Sequence, residues 1–63
     1  MNEDRIDKLR HDISNPLSAL LAETQLLLLN EATLDPETVQ GLREIEGLVR
    51  RMRDLLASTR VSA

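Results

Sequence analysis

The chain has 63 residues, which is room for one small domain and excludes a multi-domain enzyme. Its 26 apolar residues are thirteen Leu, three Ile, three Val, two Met and five Ala, with no aromatic residue and no Cys. That excludes stacking on bases, a disulfide framework and a thiolate zinc site, and a single histidine assembles no His-rich one. Eight basic against eleven acidic residues leave a charge of −3, which argues against nonspecific attraction to nucleic acid or anionic lipid.

The opening MNEDRIDKLR lacks the apolar segment of a signal peptide, and the longest apolar run is Leu26 to Leu29. A membrane span needs ~20 such residues, so the expectation is a cytoplasmic, soluble segment. Ile6, Ile13, Leu20 and Leu27 recur every seven residues, with Leu9, Leu17, Leu21, Thr24 and Leu28 beside them at helical offsets. This spacing predicts a first helix over residues 3–30. Pro16 deprives the Asp12 carbonyl of its helical partner. Asn15 as an N-cap before a new helix is chemically reasonable, but Ile6, Ile13, Leu17 and Leu20 stay in phase across the proline. One helix kinked near Pro16 is therefore expected.

A loop over 31–35 follows. Asp35 is suited to an N-cap, Pro36 to the first helical position, and Glu37 to the positive end of the helix dipole. In the second helix, expected over 36–60, Leu42, Val49 and Leu56 form one seven-residue column and Ile45, Met52 and Thr59 another. Gly41 and Gly47 each cost about 1 kcal/mol relative to Ala and mark close approach or simple tolerance.

The fold class is all-α, an antiparallel two-helix hairpin with 1–63 forming a single domain. A lone hairpin this short buries too little aliphatic surface to offset the ordering of its chain. Leu26 and Leu29 lie roughly 140° to 160° from the Ile13 stripe, leaving the end of the first helix apolar nearly all round. The expected assembly is a homodimer whose two hairpins form a four-helix bundle.

His11, the one imidazole, lies about 160° from Ile13 and faces outward. A neutral imidazole has a free ring-nitrogen lone pair and is nucleophilic. Asp12 is placed to accept a proton or orient the ring. Asn15, at the i+4 spacing, leans back toward the imidazole and can hold a water or a phosphoryl oxygen. Taken singly, an exposed His, an Asp, a capping Asn and a helical Pro are ordinary surface features. Their weight comes from the combination.

The stretch HDISNPLSALL resembles the H-box of sensor histidine kinases, through His11, Asp12, Asn15, Pro16 and Leu17, and the two-helix remainder agrees in length and layout. The resemblance implies a dimerisation and phosphoacceptor domain. His11 would receive the γ-phosphoryl group of ATP and pass it to an aspartate of a response-regulator receiver domain. Asp12 would act as general base or hydrogen-bond partner, Asn15 would position water or the phosphoryl group, and Pro16 would supply a kink. Ser14 stands where many members carry Arg or Lys. No glycine-rich nucleotide lid occurs in these 63 residues, so no cofactor and no metal is expected on this chain, and Mg-ATP belongs to a separate catalytic domain.

Folding about residues 31–35 sets Arg50, Arg51 and Arg53 beside residues 13–16, where they are placed to steer an acidic receiver pocket or the phosphoryl group. They also suit a solvated face at the negative end of the second helix. Ser14, Ser18 and Ala22, continued by Leu26, extend the His11 side of the first helix, either as the receiver's docking surface or as a face that packs internally. Other readings are a stand-alone histidine phosphotransfer protein and a chemically silent dimeric bundle module, which leaves the His-Asp-Asn-Pro constellation as accident. A helix-turn-helix nucleic-acid binder is disfavoured by the acidic charge and the lack of a short recognition helix.

Overall fold

The computed structural model of the chain describes residues 3–58. They form an antiparallel hairpin: helix α1 (Glu3–Leu28), a single turn of 3-10 helix (Glu31–Thr33), and helix α2 (Pro36–Ser58). Thr59 and Arg60, expected to extend the second helix, lie outside the described residues. The molecule is a rod of 48 × 15 × 15 Å with a radius of gyration of 15.0 Å. A compact domain of this length has a radius of about 11 Å.

α1 runs unbroken through Pro16. It stops at Leu28, two residues short of the span expected from the leucine run, because its last turn tightens. The Leu29 amide is shared between the carbonyls of Gln25 (3.1 Å) and Leu26 (3.2 Å), and the Asn30 amide bonds to Leu27 at 3.2 Å. These three-residue bonds lead into the 3-10 turn. The Thr33 amide (2.9 Å) and hydroxyl (2.8 Å) both donate to the Asn30 carbonyl, and an Arg43–Glu31 ion pair of 2.8 Å ties the loop to α2. α2 is capped by Asp35, whose carboxylate accepts from the Thr38 hydroxyl and amide and whose carbonyl accepts from Val39 at 3.1 Å.

The interior is thin. Leu17, Leu21 and Val49 are buried, Val49 being only 2% exposed, and Ile13 and Leu56 pack against them. Thr24 is buried among them at 3%, its hydroxyl donating to the Leu20 carbonyl at 2.7 Å. Around this core the two flanks of the hairpin differ in character. With about 100° per residue, Leu9, Leu20 and Leu27 of α1 and Ile45, Leu48, Met52 and Leu55 of α2 fall on one flank, and all seven are exposed. An apolar depression on this flank is lined by Ile13, Leu17, Met52, Leu55 and Leu56. The other flank is polar: His11, Ser14 and Ser18 face Arg53 there, and Gln25 reaches Glu46 at 3.4 Å. A contiguous apolar face on so small a rod is a surface for association. Leu26 and Leu29 are exposed outside it, Leu29 at 78%.

Candidate functional site

Helix phase decides which side chains meet. His11 lies about 120° from the buried Leu17, on the polar flank and in solvent. It lines an open groove with Asp7, Arg10, Ser14 and Ser18 of α1 and Arg53, Leu56 and Ala57 of α2. The imidazole is therefore accessible to a visiting domain, and the groove beside it is framed by both helices.

Asp12, one residue on, turns about 100° away. It is exposed and shares a separate depression with Arg5, Lys8 and Leu9. Asn15 is exposed one turn beyond His11 on the outer surface, and Pro16 is exposed beside it. Because proline has no N–H, the Asp12 carbonyl oxygen lacks its usual helical donor within a turn of His11, on the solvent side of α1.

The partner-facing residues divide. Ser14 is half-buried and Ser18 exposed, both in the His11 groove, and Ala22 is exposed further along the same side. Arg53 enters the groove. Arg50 lies next to it in a neighbouring depression with Arg53, Asp54 and Ala57, and makes a 3.6 Å ion pair with Glu46. Arg51 is exposed and lines neither; it lies roughly 160° from the buried Val49, away from the interhelical groove.

Arg10 is the residue that residue-type reasoning passes over. Its side chain is only 15% exposed, its Nη2 donates to the Asp7 carboxylate, and its Nη1 is inaccessible without a hydrogen-bond partner. The signal is in the spacing: Ile6, Arg10, Ile13, Leu17, Leu21, Thr24 and Leu28 follow in steps of three and four, so Arg10 occupies a core-facing position.

Among the described residues no group of three or more His, Asp or Glu side chains is placed to hold a metal ion, and no helix is long and apolar enough to cross a membrane. The site is thus an accessible nucleophilic nitrogen beside two guanidinium groups, with a carboxylate and an amide on the adjoining surface. Such a set is suited to accepting and releasing an anionic group.

No curated protein and no solved structure matches the chain. The family model of the His Kinase A (phospho-acceptor) domain matches residues 1–61, nearly the whole chain, and membership implies that the exposed leucines are covered by a second copy in a four-helix bundle. The chain belongs to this family and is the phosphoacceptor and dimerisation domain of a two-component histidine kinase.

Proposed function

We propose that His11 is the residue that carries the phosphoryl group. The supporting observation is its presentation: the sole imidazole of the chain stands in solvent beside a groove framed by both helices. A ring nitrogen attacks the γ-phosphorus of ATP held by a separate catalytic domain, the bond to the leaving ADP oxygen breaks, and a P–N bond forms. The ring proton passes to Asp12 or to water. In the second transfer a receiver aspartate oxygen attacks the same phosphorus, the P–N bond breaks, and the imidazole recovers its proton.

Asp12 and Asn15 adjoin His11 from the outer surface rather than from the groove. Asp12 acts on the side from which a docked domain arrives, as base or orienting acid, and Asn15 positions water or a phosphoryl oxygen one turn on. Pro16 bends the helix and frees the Asp12 carbonyl next to the site. Ser14, Ser18 and Ala22, with Arg50 and Arg53 across the groove, supply the receiver's docking surface, while Arg51 contributes long-range attraction. The homodimer works in the cytoplasm, where ATP and the receiver are found.

The test is a mixture of the chain with a phosphorylated receiver, or with an ATP-binding kinase domain and Mg-ATP. Acid-labile phosphate on the wild-type chain and none on His11→Gln is the expected result. Equal labelling of the variant, or no labelling of either from both donors, contradicts the proposal.

A further inference from the structure

The Arg10 guanidinium is in an unusual position for a cation. It sits at a core-facing position of α1 with its side chain 15% exposed, and only one of its two terminal nitrogens has a partner, the Asp7 carboxylate. A covered, unsatisfied N–H donor is unfavourable, and it is relieved by any acceptor oxygen that enters beside it. The space beside it is the groove that His11 also lines, and Arg53 enters that groove from α2. Two guanidinium groups, one from each helix, thus share a groove with the nucleophile. The one carboxylate among the groove's residues is Asp7, already engaged by Arg10. This is a local concentration of positive charge in a chain of net charge −3.

A phosphoryl group attached to the imidazole brings close to two negative charges and three strong acceptor oxygens into this neighbourhood. Resting on the assignment of His11 as phosphoacceptor, we infer that Arg10 is a phosphoryl-binding residue: with Arg53 it receives the oxygens of phospho-His11 in the interhelical groove. Its unpartnered Nη1 is already stripped of water, and a turn of the guanidinium into the groove presents it to the anion. Because Arg53 belongs to α2, the phosphorylated state adds a bridge between the two helices toward the open end of the hairpin.

The experiment uses the 63-residue chain phosphorylated on histidine with phosphoramidate, and follows the phosphoryl ionisation by 31P NMR. A nearby guanidinium favours the dianion. The wild type is expected to titrate at lower pH than Arg10→Met by about half a unit or more, a solvent-screened fraction of the shift a close opposite charge produces. Arg10→Lys should fall between them, and Arg53→Gln should shift in the same direction as Arg10→Met. Methionine retains the apolar stem, and circular dichroism checks that helicity is kept. Coincident titrations of wild type and Arg10→Met at equal helicity overturn the inference. Should Arg10→Met lose helicity, the 15Nε signal of Arg10 in the wild type is read before and after phosphorylation: a displaced signal supports the contact and an unmoved one overturns it. A wild-type chain that takes no phosphoryl group at His11 from any donor removes the parent assignment and this inference together.

Discussion

Thr24 and Arg10 occupy the same core-facing phase of α1 and meet the cost of burying a polar group in different ways. Thr24 turns its hydroxyl back onto the Leu20 carbonyl at 2.7 Å, so the buried group is satisfied within its own helix. Arg10 leaves one nitrogen without a partner. Asp35 illustrates the third case, a polar group kept at the surface and used as a cap. Its carboxyl is held below the ordinary value of 3.8, chiefly by the Thr38 hydroxyl, against an opposing effect of desolvation and with lesser help from the Thr38 and Asp35 amides. A carboxylate whose folded pKa is depressed contributes stability above the unfolded value, and the contribution is lost as pH falls through the folded one. The hairpin should therefore lose stability below about pH 4 more steeply in the wild type than in Asp35→Asn, which still caps but does not titrate. Thermal melts between pH 2 and pH 6, roughly the span from both protonated to both ionised states, check this; parallel profiles contradict the cap assignment.

Much of the site is legible at this scale because helix phase converts position into direction. His11 and Asn15 face outward and Leu17 inward by counting alone, and the count also sends Asp12 away from His11. What counting does not reveal is that a charged residue in the inward phase stays inward. The identity of Arg10 argues for solvent, while its position turns it toward the groove shared with Arg53, Leu56 and Ala57 and leaves its side chain only 15% exposed.

Among the elements, α1 shows why a proline is a weak breaker when the apolar stripe continues in phase on both sides of it. Ile13 and Leu17 both pack into the core on either side of Pro16, and that burial outweighs the one missing hydrogen bond. The leucine run is a poorer guide to where α1 ends. Leu26 through Leu29 are all good helix formers, yet backbone bonds spaced three residues apart tighten the chain from Leu29 onward, a preference that composition does not encode. In α2 the sequence leaves open whether Gly47 permits a close approach. Nothing lies within 4 Å of where its Cβ would stand, and the position is exposed. Gly47→Ala should then raise stability by about 1 kcal/mol through a less flexible unfolded chain and better helix propensity. Urea denaturation measures this, and a destabilised variant would indicate a neighbour at that position in the assembled protein.

For the molecule as a whole, the balance of surfaces dictates assembly. A rod with a 15.0 Å radius of gyration and, among the described residues, three buried apolar ones has most of its aliphatic surface still to cover. That surface is concentrated on the flank away from His11, so dimerisation covers the leucines and leaves the imidazole free for visiting domains. Burying a leucine contributes about 1.5–3 kcal/mol, and in a two-fold interface each substitution counts twice. Leu20→Lys should weaken the dimer at least ~100-fold in sedimentation equilibrium, whereas Leu29→Lys, off that flank, should leave it unchanged. Equal effects of the two substitutions would contradict the division of flanks. Seven-residue columns in the sequence predict this need for a partner; the separation of the apolar flank from the His11 flank emerges only once both helices are docked in register.

The chain's single imidazole makes its chemistry open to direct observation. In a 15N-labelled sample mixed with phosphorylated receiver domain, the ring nitrogen signals of His11 should move to those of a phosphorylated imidazole, with a P–N resonance appearing in step in the 31P spectrum. Ring signals that stay in place while the receiver loses its phosphoryl group only to water would contradict the claim that His11 is the phosphoacceptor.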